Sequence, residues 1–551
     1  MKKKKKSGAQ SLVEALEDQG VTYIFGYPGG ATLPVYDILV NSSIDHILVR
    51  HEQGAAHMAD GYARISGKVG VCMATSGPGA TNLVTGIATA FMDSIPMVVI
   101  TGQVPQPVIG NDAFQEVDIT GITLPITKHN YLIQHAEDIR PSIEQAFYLA
   151  ITGRPGPILI DIPKDILSSS FEVGKAVHYS LEGYSPTVQC HPGQIKRAVK
   201  LLEKAERPII IAGGGSRGSK ELISLSEKGD IPVVATLMGK SSFPNSHKNY
   251  FGLYGYHGTV AANTAVSRAD VMLSVGTRFG DRSTGPIDTF ASEAKIIHID
   301  IDPAEINKNV PAFVPIVGYA GQVVEELDGL MTKQVRKDWL DTLSIVRDKN
   351  PMPLPQNEFS IPNILQLLQP LLEGSPIVTD VGRHQIFAAH YLSVTPEAPF
   401  ITSGGMGTMG FGLPAAIGVS FAKPGIRIYL VTGDGSFLMN CQEIVTAAEN
   451  QLPITVLVMN DVQLGMIHQL QDAFYGQRHQ CCFFSQSVDF SDLAKSMGAD
   501  GKKTESLDEV KAALAQAARQ KGPFVIDCRI PKGENVLPMV TGETLTSFME
   551  S

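Results

Sequence analysis

An aspartate set between glycines, Gly433-Asp434-Gly435-Ser436, is followed one helix and one strand later by Asn460-Asp461. Arg427–Thr432 and Ile454–Met459 read as buried strands and Met439–Glu449 as the helix between them, so the spacing carries both aspartates to neighbouring ends of one parallel sheet. Carboxylate oxygens at such an edge suit Mg2+, which takes octahedral oxygen ligands and shares them readily with phosphates. Glycines allow backbone N–H groups to approach a diphosphate at a helix N-terminus. A lone Gly-Asp-Gly is common in ordinary turns; the strands on both sides favour a metal and diphosphate site.

Other residues carry weaker signals one at a time. Glu52, in Arg50-His51-Glu52-Gln53-Gly54-Ala55-Ala56, could be a surface carboxylate, and Met409, in Gly407-Thr408-Met409-Gly410, could be ordinary core. Gly213-Gly214-Gly215-Ser216-Arg217-Gly218 fits GxGxxG after the apolar run Pro208–Ala212, which alone would suggest a nicotinamide dehydrogenase. Of the six cysteines only Cys481 and Cys482 are close, and adjacent thiols lack the CxxC spacing of a zinc or redox site, so free thiols of a cytoplasmic protein are expected.

The elements that must position these groups fall into three strand–helix alternations, the grammar of doubly wound α/β parallel sheets. The first contains the buried-strand runs Val69–Thr75, Pro96–Thr101 and Pro157–Ile162, with a helical pattern over Thr81–Met92. The second opens at Arg207–Ala212, and the third runs from Ile377–Asp380 to about Ile530. Polar stretches at Phe171–Pro192 and Arg347–Glu358 read as linkers. The expected division is residues 1–172, 190–335 and 360–535, with 536–551 as a tail. Lys2–Lys6 reads as a solvated N-terminal tail, since no apolar segment follows it. A net charge of -10 argues against nucleic acid as a partner, and no apolar run is long enough to span a membrane.

The Gly-Asp-Gly motif with its following Asn pair resembles that of the thiamine-diphosphate enzymes. Phe25-Gly26-Tyr27-Pro28-Gly29-Gly30, the segment around Glu52, Gly61-Tyr62-Ala63-Arg64 and Thr75-Ser76-Gly77-Pro78-Gly79-Ala80-Thr81-Asn82 together resemble the large catalytic subunit of acetohydroxyacid synthase, also called acetolactate synthase. The likeness runs from about Ser7 to Met539. It implies pyrimidine-binding, central FAD-type and diphosphate-binding domains in that order. It also implies decarboxylation of pyruvate and joining of the two-carbon fragment to a second 2-keto acid, in branched-chain amino acid biosynthesis. Rival readings are a pyruvate oxidase or a 2-keto acid decarboxylase of the same fold, and a non-catalytic regulatory paralogue.

By this resemblance Asp434, Asp461 and the backbone carbonyl of Gln463 would hold Mg2+, and Glu52 would bond the aminopyrimidine of thiamine diphosphate. Gly30, Phe114, Gln115 and Lys164 would serve the reacting centre or its access channel. Gly382, Arg383, His384, Gly435, Ser436, Gly465 and Met466 would lie along the cofactor, with the Gly407 carbonyl and Met409 supporting its bend. Arg154, Thr236, Leu237, Met238, His257, Gly276, Arg278, Arg282, Asp300 and Ile301 would contact FAD in a non-redox role. The site would form between subunits of a homodimer or homotetramer, with a small regulatory subunit as a further partner. Five positions depart from the family pattern. Gly280 and Tyr319 stand where aspartates serve the flavin, Asp461 replaces an asparagine, and Leu470 replaces a tryptophan that favours 2-ketobutyrate. Arg383, where glutamine is usual, would offset the charge that Asp461 adds.

Overall fold

The computed structural model describes residues 5–172, 181–355 and 357–549. The expected alternation resolves into three six-stranded sheets, parallel throughout. In the first unit the chain passes through β1 (Lys5–Ser7), β2 (Tyr23–Gly26), β3 (Asp45–Leu48), β4 (Gly70–Ala74), β5 (Met97–Gln103), β6 (His129–Leu132), β7 (Pro157–Pro163) and β8 (Ser170–Glu172). The middle unit holds β9 (Pro208–Ala212), β10 (Val233–Ala235), β11 (Tyr250–Leu253), β12 (Val271–Val275), β13 (Lys295–Asp300) and β14 (Val314–Val317). The last holds β15 (Ile377–Thr379), β16 (Phe400–Ile401), β17 (Ile428–Gly433), β18 (Ile454–Asn460), β19 (Asp500–Thr504) and β20 (Phe524–Arg529). Helices cover both faces, so the central strands β5, β7 and β18 are buried at every residue and need unbroken rather than alternating apolar sequence.

The first and third sheets share one strand order, β3-β2-β4-β5-β7-β6 against β16-β15-β17-β18-β20-β19. In each, the path reverses beside the unit's first sheet strand, opening a crevice at the carboxyl ends, between β2 and β4 or between β15 and β17. The middle sheet, β11-β10-β9-β12-β13-β14, follows the dinucleotide-fold order with its crevice between β9 and β12.

Two helices lock the outer units together. Gly61 and Gly418 let the helices Glu52–Ser66 and Gly412–Ala422 meet backbone to backbone, since a Cβ at either would strike Ala415 or Met58. Gly412–Ala422 is apolar all round, as a helix enclosed on every side must be. Arg64 adds a buried ionic joint, its guanidinium lying between Asp60 and Asp93 and donating to the Thr402 carbonyl.

The chain ends are better anchored than their composition suggests. Lys5–Ser7 forms an antiparallel ribbon with Ser170–Glu172, and Lys6 pairs with Glu14, so only Lys2–Lys4 of the expected solvated run lie outside the described residues. Part of the Phe171–Pro192 linker, residues 173–180, also lies outside them. Past residue 335 the helix Lys337–Lys349 packs on the middle sheet through buried Trp339 and Leu343, and Trp339 Nε1 donates to the Pro208 carbonyl. The expected tail at 536–551 also docks there: Leu545 is buried against that unit, and its carbonyl accepts from Asn263 Nδ2.

Candidate active site

The mouth of the third sheet is built from strand ends. β17 runs directly into a helix that begins at Asp434, with Gly433 as N-cap, rather than at Met439 as the sequence suggests. Small residues let the turn tighten there, and a carboxylate in the first helical turn complements the helix dipole. The helix breaks after Asn440, whose side-chain amide donates to the Gly410 carbonyl, and resumes at Glu443–Glu449. β18, hydrogen-bonded beside β17, delivers Asp461. The following Val462 adopts φ 58°, a strained conformation for a β-branched residue, and brings Gln463 back into the site.

Charge in this mouth is unevenly balanced. Asp461 Oδ2 accepts from Arg383 Nη2 and, at 2.7 Å, from Gln463 Nε2. Arg383 is only 5 % exposed, and its Nη1 donates to the Glu534 carbonyl at 2.6 Å. The Asp461 carboxyl is nevertheless held above the usual range, because burial outweighs the arginine. Asp434 is pushed up to about 7, by burial first and the Asp461 charge second, against the pull of backbone N–H groups from Gly435, Val462 and Gln463. Its Oδ2 is buried with no hydrogen-bond partner among the described residues, as are Gln463 Oε1 and His384 Nε2. Buried polar atoms rarely stay unpaired, so two orphan oxygens beside a partly uncompensated carboxylate fit a divalent cation. The orphan imidazole nitrogen fits the oxygens of a diphosphate. Burial keeps His384 neutral, lowering it to about 3. Ser436 Oγ donates to the Val381 carbonyl, fixing the turn that carries Gly382 and Arg383.

A loop from the neighbouring strand forms the opposite wall. Asp380 accepts from the N–H groups of Val381, Gly410 and Gly412, and Gly407 and Gly410 take φ 65° and 86°. Half-buried Met409 is carried on this loop. Thr408 Oγ1 lies 2.7 Å from Thr89 Oγ1 of the first unit, and Asp93 accepts from the N–H groups of Gly404 and Gly405.

This mouth opens into one cavity of about 1090 Å³ that continues across the crevice of the middle sheet. Its walls include every metal and cofactor candidate read from the sequence: Asp434, Asp461, Gln463, Gly382, Arg383, His384, Gly407, Met409, Gly435, Ser436, Gly465 and Met466 at one end, and Arg154, Thr236, Leu237, Met238, His257, Gly276, Arg278, Arg282, Asp300 and Ile301 at the other. The volume exceeds the roughly 300–1,000 Å³ of a single-ligand pocket, which suits two cofactors side by side. In the middle half His257 Nδ1, Tyr254 OH and Arg217 Nε are buried without hydrogen-bond partners among the described residues. Arg154 is already engaged by Glu305 at 2.9 Å and Asp302 at 3.5 Å. Tyr319 and Gly280 both line the cavity, and a Cβ at Gly280 would meet nothing within 4 Å. The Gly213–Gly218 motif enters a 3-10 turn at Gly214–Ser216 instead of opening a helix, so the sheet has the dinucleotide strand order without that fold's phosphate-binding helix end.

The five catalytic candidates lie elsewhere. Glu52, Gly30, Phe114, Gln115 and Lys164 are not among the cavity's lining residues. They follow the carboxyl ends of strands in the first sheet. Gly29 packs on Thr75, whose Oγ1 accepts from Ala31 N, and Gly77 lies against the Gln115 backbone. Lys164 opens the helix after β7, where neighbouring Asp165 accepts from Gln106 N. Half-buried Glu52 takes one hydrogen bond, from Asn82 Nδ2 at 2.9 Å. Gly30 is exposed, and Phe114 is 87 % exposed.

Sequence reading missed Glu443. This carboxylate of the third unit is fully buried and accepts from the backbone N–H groups of Arg50 and His51, both at 2.9 Å, just before Glu52. Burial pushes it up to about 7. Nothing local marks it beyond Thr446 Oγ1, which donates to its other oxygen, because Arg50 and His51 lie in the first unit, far back along the chain.

Three family models cover most of the chain: the N-terminal TPP binding domain of thiamine pyrophosphate enzymes over residues 6–122, the central domain over 195–327, and the C-terminal TPP binding domain over 380–528. A probable acetolactate synthase large subunit of Methanocaldococcus jannaschii is 48% identical, covering 98% of this chain and 95% of that protein. One from Methanococcus aeolicus is 44% identical over 99% and 95%. An acetolactate synthase large subunit of Haemophilus influenzae is 44% identical over 97% and 96%.

Proposed function

The chain belongs to the thiamine pyrophosphate enzyme family, among its acetolactate synthase large subunits, and we propose that it forms 2-acetolactate and CO2 from two molecules of pyruvate. The observation that carries this reading is the pairing of a polar, partly unsatisfied third-sheet mouth with a topologically equivalent but open first-sheet mouth. Asp434, Asp461 and Gln463 would hold Mg2+ against the diphosphate, with His384, Gly435 and Ser436 beside it. Bound thiamine diphosphate supplies the electron sink that lets a 2-keto acid lose CO2. Glu52, Gly30 and Gln115 belong at its other end, where Glu52 holds a proton at the aminopyrimidine and the Gly30 N–H polarises the reacting oxygen. Phe114 lines the site beside Gln115, and Lys164 borders the access route.

Because the first-sheet mouth is open in a single chain, the reading requires a second copy, so the active unit is at least a homodimer. FAD would occupy the middle half of the cavity in a structural role, with affinity reduced by Gly280 and Tyr319. The relatives' designation as large subunits supports a small regulatory partner. The setting is cytoplasmic branched-chain amino acid biosynthesis; among the described residues no helix is long and apolar enough to cross a membrane. Leu470 lines the cavity and offers little flat surface, which favours pyruvate over 2-ketobutyrate as second substrate. Incubation with pyruvate, thiamine diphosphate and Mg2+ tests the activity. Acetolactate as main product is expected; acetaldehyde, or reduction of bound flavin by pyruvate, would place the chain with the decarboxylases or oxidases.

A further inference from the structure

The helix Gly465–Phe474 turns one face to the cofactor cavity through Met466, Ile467 and Leu470. A different side carries His468 and Asp472, one helical turn apart. Beyond the helix the chain doubles back through Gly476 and Gln477, both at positive φ, and a two-way hydrogen bond between Gln471 and Gln480 fixes the return. This brings His479 Nε2 to 2.6 Å from Asp472 Oδ1, while His468 Nδ1 lies 3.3 Å from Asp472 Oδ2. The two imidazoles stack with centroids 4.2 Å apart and planes 16° from parallel, and the Phe483 edge packs against both.

One donor atom from each of the three residues falls within 4.8 Å of the others. A plain hydrogen-bonded cluster accounts for His479 but not for His468, whose buried Nδ1 lies beside Asp472 Oδ2 yet makes no hydrogen bond among the described residues. We propose that His468, Asp472 and His479 bind one late first-row divalent cation of the Zn2+ class, apart from the Mg2+ position proposed at Asp434. Two imidazoles and one carboxylate form the mixed nitrogen and oxygen set that such cations accept and Mg2+ disfavours. Three protein ligands leave the fourth tetrahedral position to water. Burial lowers His468, against the pull of Asp472, towards the neutral form that ligates.

The cation would clip the return loop to the helix. That loop is already tied to the Mg2+ segment, because Leu464 N donates to the Cys482 carbonyl and Phe484 N to the Val462 carbonyl. The site therefore stiffens the wall from which Leu470 projects.

The test uses the full chain saturated with thiamine diphosphate and excess Mg2+, titrated with Zn2+ by calorimetry and with Co2+ by visible absorption. Saturable binding of one equivalent per chain, with the absorption of a low-coordinate Co2+ site, is expected. His479 sits in a surface loop, so His479→Ala should fold normally and weaken binding by more than about tenfold, the lower range even for loss of a supporting contact. Cys481→Ser should leave binding unchanged, since the thiol is no part of the set. Absence of saturable binding, wild-type affinity retained in both His479→Ala and His468→Gln, or loss of binding in Cys481→Ser would each overturn the proposal.

Discussion

The first and third sheets are wound in the same order, yet their crevices differ in almost every physical respect. The third-sheet mouth is lined by buried side chains, holds the Arg383–Asp461 pair, and leaves Asp434 Oδ2, Gln463 Oε1 and His384 Nε2 without hydrogen-bond partners among the described residues. The first-sheet mouth is open, with exposed Gly30 and Phe114 and a half-buried Glu52 that accepts from Asn82. Topology thus fixes where a ligand can sit, while side chains decide what each crevice contributes: on the proposed reading one would grip an anion and its cation, and the other would present a proton-carrying group. The contrast also explains why a single chain looks incomplete.

The largest effects should separate these roles. Asp434→Ala is expected to abolish both activity and Mg2+-dependent binding of thiamine diphosphate. Glu52→Gln should lower activity by about 10²–10⁴-fold, the usual worth of a positioned acid–base group, while cofactor binding by calorimetry persists. Loss of binding in Glu52→Gln would erase the distinction. Next comes the charge pair. Arg383→Gln leaves a buried carboxylate uncompensated and should cost about 3–5 kcal/mol in stability or cofactor affinity. Adding Asp461→Asn should restore much of it, and simple additivity in the double-mutant cycle would show that the two residues do not act together.

Smaller effects concern the cavity wall and the joint between units. Leu470→Trp should raise the preference for 2-ketobutyrate over pyruvate in competition by about 1–3 kcal/mol in transition-state terms. An unchanged product ratio would remove Leu470 from the specificity argument. Glu443, raised to about 7 by burial, binds its proton more tightly folded than unfolded. Its contribution to stability is therefore complete below the ordinary glutamate range and declines as pH rises towards about 7. Glu443→Gln should flatten that decline in thermal melts. It should also lower kcat modestly, because Glu443 fixes the backbone just before Glu52.

What the sequence revealed followed from how local each feature is. Gly433–Ser436 and Asn460–Asp461 sit at strand ends set by uninterrupted apolar runs, so their meeting could be read directly. The Arg383–Asp461 pair was legible as two departures of opposite charge from one family pattern, and the structure joins them. Boundaries were less legible. The helix at Asp434 starts within glycines that favour a turn when read alone, and its break at Cys441 serves a long-range contact. The docking of Leu545, the strand at Lys5–Ser7 and the reach of Glu443 all depend on partners far along the chain. The Gly213–Gly218 motif misleads for the opposite reason: its spacing is right, but it enters a short 3-10 turn and not an α-helix.

The claim that the first-sheet mouth of one copy completes the third-sheet mouth of another is tested most directly by co-expressing Glu52→Gln and Asp434→Ala chains, each inactive alone. Random pairing leaves one intact site in each mixed dimer, so about a quarter of wild-type activity is predicted. Activity no higher than that of the separate variants would contradict a site shared between chains.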